Sequence, residues 1–394
     1  MGAARRIGTM TEPHPWLVHF SADHHRDTNP HSRHHIVRAL SAHFRVLWIN
    51  PYGFRWPAGR SWIPRAMRKL RHWTAGATQT SEGWVVANPI ALPIVADGIV
   101  RTLHEAWLRR QVRRLLRRHG VNRGVLFFTT PKYAPVLERD SDWPSVFYLS
   151  DAYSLHRELS PKERAVVRKE EDWLLTHCRR VICSSRPIYE DVRGRTRPDI
   201  VIHFPHQVDF ARFAAARERG TAPADIASIP RPRIGYYGTL TDSNDWDLMG
   251  AVVRARPNYH FVFIGRKEIE STGLESLPNV HFLGFRPYET IPDYGAAFDV
   301  AVMFWVRRDW IRHCSPLKLK EYLALGKPVV STYIEDVAWQ FGQIVSLAHT
   351  AEEFLAALDR GVLAPDLEKI QRGIEAVRDD SWNRIVPLFL DLID

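Results

Sequence analysis

The chain has 394 residues, 45% of them hydrophobic and 25% charged, with a formal net charge of +10. That composition excludes a disordered or collagen-like chain, and at ~100–200 residues per domain it predicts two domains, each able to bury a core unaided. Cys178, Cys183 and Cys314 are too few and too scattered for a disulfide framework or a paired zinc site, so a reducing, cytoplasmic setting is expected.

Charge is unevenly placed. Residues 1–120 carry 19 basic and 6 acidic side chains, 121–220 carry 17 and 14, and 221–394 carry 18 and 24. A polyanionic surface would therefore meet the first half only. No run approaches the ~20 apolar residues of a membrane span, and residues 1–15 lack the apolar core of a signal peptide, so neither spanning nor export is expected. No nucleic-acid motif accompanies the basic half, and the acidic second half would repel a long polyanion.

In chain order, apolar runs at 16–22, 45–51, 124–130, 145–151, 179–185 and 199–205 predict strands, with helical segments at 31–43, 98–119 and 161–177. The Pro/Ala-rich stretch 218–232 reads as a linker. Strands are then expected at 233–240, 259–265, 279–285, 298–305, 328–332 and 343–348, and helices at 245–255, 316–325, 351–361 and 366–377. Alternating strands and helices imply parallel sheets covered on both faces. The expected architecture is α/β, two Rossmann-like doubly wound domains facing a cleft: a tail at 1–12, a first domain at 13–217, the linker, a second domain at 233–378, and a C-terminal helix at 379–394 packing back on the first domain.

The most informative stretch is 313–332, HCSPLKLKEYLALGKPVVST. Ser315 suits the N-cap, Pro316 the first helical position and Gly326 the position past the end. The helix start is an anion site. Lys318 and Glu321, three apart, share a face and put a cation near that site and a carboxylate one turn deeper. The pair suits a diphosphate and two ribose hydroxyls, although the spacing also fits an ordinary surface ion pair. Gly238 and Thr239 end one strand without bulk, and Gly265, Arg266 and Lys267 end the next with two cations.

The order GYYGTL, FVFIGR, NVHFLGF and SPLKLKEYLALGKPVVST resembles the nucleotide-sugar half of GT-B fold glycosyltransferases, particularly bacterial polysaccharide enzymes and xanthan-type glucuronosyltransferases. The likeness runs through most of the chain, with DHHRDTNPHSRHHIVRAL, FYLSDAYS and FPHQVDFARF in the first half. The resemblance implies transfer of a hexosyl or glucuronosyl group from a UDP- or GDP-sugar to a lipid-linked or glycan acceptor in cell-surface polysaccharide synthesis. It places Lys318 on the diphosphate, Glu321 on the ribose and Phe285 to Tyr288 on the base, with no bound metal or other cofactor.

Many retaining enzymes of this fold carry a second glutamate eight positions earlier, where this chain has His313. That departure favours inversion, with an acceptor-side carboxylate as base. Asp151 ends the run VFYLS at the sheet edge, and SDAYS resembles the base-bearing segment of the glucuronosyltransferases, so Asp151 is the expected catalytic base. The same residue would also serve as a turn cap; Asp23 and Asp27 are reserves. Asp23, His24, Arg33 and His34 are expected around the acceptor. The i, i+4 pair His31 and His35 lacks the companions of a zinc site.

Residues 54–73 contain no acid and interleave Trp56 and Trp62 with Arg60, Arg65, Arg68 and Lys69. Together with the Arg-rich amphipathic stretch 101–118, they suggest docking on an anionic membrane at its inner face. The alternative is a noncatalytic protein of the same fold that binds sugar nucleotide or anionic lipid.

Overall fold

The computed structural model describes residues 14–27, 29–52, 77–90, 98–138, 142–156, 159–270 and 272–393. The tail at 1–12 and the segment holding Trp56, Arg60, Trp62, Arg65, Arg68 and Lys69 lie outside them.

In the first half, β1 (Trp16–Phe20) leads to α1 (Ser32–Leu40), β2 (Arg45–Ile49), β3 (Thr78–Gln79), β4 (Val85–Ala87) and α2 (Ile99–Arg118). β5 (Gly124–Phe128), β6 (Ser145–Leu149), α3 (Pro161–His177), β7 (Arg180–Cys183), α4 (Arg186–Arg193) and β8 (Val201–His203) complete it. These strands form one sheet in the order β3-β4-β2-β1-β5-β6-β7-β8, parallel except for β3 against β4. The centre pairs in simple register, Trp16 opposite Arg45 and Gly124. Both faces are buried, which is why β1, β5 and β6 read as unbroken apolar runs. Trp16, Val18 and Phe20 pack on one side and Leu17 on the other.

α5 (Phe210–Arg219) and the short α6 (Ala224–Ala227) connect the halves. The end of α5 and the whole of α6 fall within the stretch 218–232 expected as linker, where Ile226 and Ile229 are buried. The second half runs β9 (Arg233–Tyr237), α7 (Trp246–Ala255), β10 (His260–Ile264), β11 (Val280–Gly284), α8 (Ile291–Ala296), β12 (Val300–Met303), α9 (Asp309–Arg312), α10 (Leu317–Ala324), β13 (Val329–Thr332), α11 (Glu335–Phe341), β14 (Ser346–Ala348), α12 (Ala351–Leu363) and α13 (Leu367–Val377). Its sheet is parallel throughout, in the order β11-β10-β9-β12-β13-β14. At Gly235, in the central strand, a Cβ would fall 2.1 Å from the Phe298 ring, so only glycine lets that ring lie on the sheet.

The chain ends by returning to the first half. Trp382, Ile385 and, on α14 (Val386–Leu390), Phe389 share a core with Leu17, Trp48 and Phe127. Lys320 of α10 and Asp380 form a buried ion pair at 2.7 Å, and Ser381 N donates to Gln207 at 3.2 Å. Further ties between the halves are Ser185 Oγ to the His313 carbonyl (2.7 Å) and Arg186 N to Asp336 (2.8 Å). No described helix is long and apolar enough to cross a membrane.

Candidate functional site

Strands of a doubly wound sheet place their following loops at one edge. In the second half, Gly238 follows β9 and Gly265 follows β10, both at positive φ, 134° and 144°. Gly238 N donates to the Ile264 carbonyl at 2.8 Å and Leu240 N to the Arg266 carbonyl at 2.8 Å, so the two loops stay paired beyond their strands. A Cβ at Gly265 would lie 2.1 Å from the Gly238 oxygen. A Cβ at Gly238 would lie 2.4 Å from Lys318 Nζ. The bare backbone there therefore admits the ammonium to the strand end.

Lys318 Nζ donates to the Tyr236 hydroxyl at 2.8 Å and lies 4.2 Å from that ring's centre and 5.7 Å from that of Trp305. Burial opposes ionisation of Tyr236, but the Lys318 charge and the hydrogen bonds from Asn244, Lys318 and Trp305 hold the phenol below its ordinary range. Thr239 contributes its carbonyl, 3.4 Å from the Tyr236 hydroxyl. α10 begins one residue later than expected: Pro316 is the extended N-cap, with φ −75° and ψ 116°, and Ser315 precedes it, half-buried, without a side-chain cap bond. Gly326 at φ 65° ends the turn beyond α10 as expected.

Glu321 is 9% exposed. Burial pushes its carboxyl up, against the pull of the Tyr237 and Tyr288 hydroxyls and of Lys318. Tyr288 donates to Oε1 at 3.1 Å. Lys318 and Glu321 make no ion pair with each other among the described residues, so the surface-bridge reading of their spacing does not hold; each turns to a tyrosine. Arg266 lies 4.9 Å over the Phe285 ring at the adjoining loop. His35 of α1 reaches Tyr288 at 5.5 Å between ring centres, bringing the two halves together beside Glu321.

Across the cleft, Asp151 follows β6. Its Oδ2 lies 3.0 Å from His156 Nε2, and its Oδ1 accepts from the Trp310 indole of α9. Asp23, after β1, is ion-paired with Arg33, whose Nη1 donates to Ser150 Oγ at 2.8 Å and to the Tyr153 hydroxyl at 3.0 Å. Burial works against the Asp23 charge, but Arg33 and His31 hold its carboxyl below the ordinary range. Arg33 thus fixes the β1 loop to the loop bearing Asp151. His34 accepts from His31 N at 3.2 Å through Nδ1 and donates to the exposed His24's carbonyl at 3.1 Å through Nε2. Burial lowers its pKa, against the pull of the His24 carbonyl and the Asp23 charge. Asp23, Asp27 and His31 have ligand-type atoms within 4.8 Å of one another, yet Asp23 is committed to Arg33 and Asp27 accepts from His24 N at 3.0 Å.

The structure therefore gathers Gly238, Thr239, Lys318 and Glu321 at one edge, with Phe285, Tyr288 and Arg266 beside them. Asp23, His24, Arg33, His34 and Asp151 form a second group on the facing edge. Sequence reasoning missed Tyr236, Tyr237, Trp305 and Trp310. A tyrosine or tryptophan inside an apolar run reads as core, and nothing in the local sequence marks its hydroxyl or indole as facing a site.

Residues 231–362 match the family described as "Glycosyl transferases group 1". A provisionally assigned teichuronic acid biosynthesis glycosyltransferase of Bacillus subtilis (strain 168), TuaH, is 26% identical over 229 residues, 53% of this chain and 55% of that protein. The chain thus spans about half the length of that curated relative. Among solved structures, sucrose-phosphate synthase from Thermosynechococcus elongatus superposes with a TM-score of 0.69 at 15% identity, over 96% of this chain and 98% of the other. Anabaena HepE in complex with UDP and glucose gives 0.65 at 15%, over 96% and 99%. The E. coli trehalose-6-phosphate protein bound with UDP-2-fluoro glucose gives 0.66 at 12%, over 96% and 99%.

Proposed function

From a chain whose fold is GT-B and whose residues 231–362 are a glycosyl transferases group 1 domain, we propose a glycosyltransferase that uses a nucleotide diphosphate sugar. The observation that carries this is the pairing at one sheet edge of Lys318, admitted by Gly238, with the buried Glu321 one turn deeper. Lys318, with Arg266 at the neighbouring loop, meets the diphosphate; Glu321, held by Tyr288, accepts from the ribose hydroxyls; Phe285 and Tyr288 flank the base. The nucleotide is UDP or GDP and the sugar a hexose or hexuronic acid. The acceptor is a lipid-linked or growing glycan of the cell surface, met at the cytoplasmic face of the membrane.

The reaction proposed is a single displacement. The acceptor hydroxyl attacks the anomeric carbon, Asp151 takes the hydroxyl proton, and the bond to the diphosphate breaks, its charge met by Lys318 and Arg266. Asp23 is neutralised by Arg33 and is the weaker base candidate. His156, beside Asp151, is placed to receive the proton onward. One observation supports the noncatalytic alternative: both Asp151 oxygens are already bonded, so the residue would serve as a clasp between the halves.

Product formation separates the two readings. UDP- and GDP-sugars are incubated with the purified protein and polyprenyl-phosphate-linked glycans, and nucleoside diphosphate release is followed. Proton NMR of the fresh product reports inversion at the anomeric carbon if Asp151 acts as proposed. Retention would reject the single displacement, and tight nucleotide binding without turnover on any acceptor would favour the binding protein.

A further inference from the structure

Between α2, the turn at residues 131–136 and α3 lies a groove of about 690 Å³, within the ~300–1,000 Å³ range of pockets that enclose small molecules. None of the residues assigned above to the donor, the acceptor or the proton transfer lines it. Its apolar wall includes Pro135, Leu137, Val166 and the ring of Trp173, and α2 lines it with Arg101, Thr102, Glu105 and Arg109. On the same first turn of α2, outside the groove's lining, Ile99, Val100 and Leu103 are 76%, 42% and 64% exposed. Three large apolar side chains on one exposed turn are what a soluble helix avoids and what a helix touching hydrocarbon presents.

Charge along the groove is not balanced evenly. Arg101 is taken up by Glu105 at 2.8 Å and Glu170 at 3.2 Å, and Arg109 donates to the Pro135 carbonyl at 3.1 Å. Lys162 and Lys169, both on α3 and both lining the groove, make no ion pair among the described residues. Burial pushes the Glu170 carboxyl up to about 7, so it opposes an incoming anion less than its formal charge suggests. The groove thus offers an apolar wall and two spare cations, beside a helix turn with three exposed apolar side chains. The same α3 packs against the turns at residues 131–136 and 153–155, the second of which follows Asp151 directly.

We infer that this groove holds the lipid anchor of the acceptor: a long alkyl or prenyl chain lies along Pro135, Leu137, Val166 and Trp173, and its phosphate pairs with Lys162 and Lys169. The inference rests on the glycosyltransferase reading and gives its acceptor a chemical class, a chain-bearing phosphate monoester or diester.

Decyl phosphate, below its micellar concentration, is the probe, titrated into the full chain by calorimetry beside decanol and inorganic phosphate. Decyl phosphate should bind once per chain, and each of the other two at least tenfold more weakly. Ala165→Trp, which fills the groove from α3, and Lys162→Glu with Lys169→Glu, which reverse the spare charge at exposed positions, should each weaken decyl phosphate at least tenfold. Whichever of UDP and GDP binds the wild type, titrated into the same samples, should bind all of them alike. Absence of decyl phosphate binding, or wild-type affinity in both variants, overturns the inference. So does loss of binding to phosphatidylglycerol vesicles in the variants while decyl phosphate still binds, since that would make the groove a membrane-docking surface only. Absence of binding of both UDP and GDP by the wild type, with decyl phosphate binding intact, would instead reject the donor reading and leave the groove standing.

Discussion

Trp310 and Asp151 stand 159 positions apart in the chain, and the indole of the first donates to the carboxylate of the second across the cleft between the two sheets. A carboxylate at a sheet edge that also clasps the opposite domain has two separable roles. Proton transfer contributes ~10²–10⁴-fold to rate and little to donor affinity. Asp151→Asn keeps an acceptor for the indole while losing the base. It should lower turnover by that factor with donor binding unchanged, as measured by steady-state kinetics beside calorimetry. Turnover at the wild-type level would make Asp151 a clasp and move the search for a base to Asp23, Asp27 or a neighbouring histidine.

The two loop glycines should fail differently. Gly265→Ala sets a methyl 2.1 Å from the Gly238 carbonyl oxygen, in backbone that has no room to yield. It should lower the thermal midpoint clearly. Gly238→Ala meets the far end of Lys318 instead, which can swing away. Both substitutions add the ~1–3 kcal/mol of a non-glycine residue at an unfavourable positive φ. Gly238→Ala should in addition weaken nucleotide diphosphate binding, because the displaced ammonium is the one that meets the phosphates. Equal midpoints for the two variants, measured by calorimetric scans, would contradict this.

Much of this was legible in the sequence, for a physical reason. Parallel strands buried on both faces read as unbroken apolar runs, so the central strands of both sheets stood out. So did the α3 start, where Pro161 follows the capping residue Ser160 and Glu163 reaches back to it. Thr78–Gln79, exposed at a sheet edge, carries no such signal. Ser315 reads as a better cap than Pro316, yet Pro316 is the residue that turns the chain. The glycines of the β9 and β10 loops were visible, but their close approach to each other and to Lys318 was not. Contacts such as Asp151 with Trp310, or His35 with Tyr288, depend on how the two sheets face each other, and no local pattern encodes that.

The Lys320–Asp380 pair tests how the chain end is held. Both side chains are 8% exposed, and burial lowers the Lys320 pKa. Removing one partner of a buried pair strands the other charge, at ~3–5 kcal/mol. Asp380→Ala should therefore shift the urea midpoint by an amount in that range, while Lys320→Met with Asp380→Ala recovers most of the loss. A single-variant loss below ~1 kcal/mol would mean that Lys320 finds another partner or water.

Binding of UDP and GDP, measured by calorimetry on the wild type, Lys318→Ala and Glu321→Ala, tests the central claim most directly. Charge-assisted hydrogen bonds of the kind assigned to each side chain are worth ~1.5–3 kcal/mol. One of the two nucleotides should bind the wild type, and each variant should bind it roughly ten- to hundredfold more weakly with its fold intact. Wild-type affinity in both variants, or no binding of either nucleotide by the wild type, would contradict a nucleotide-sugar site at this edge.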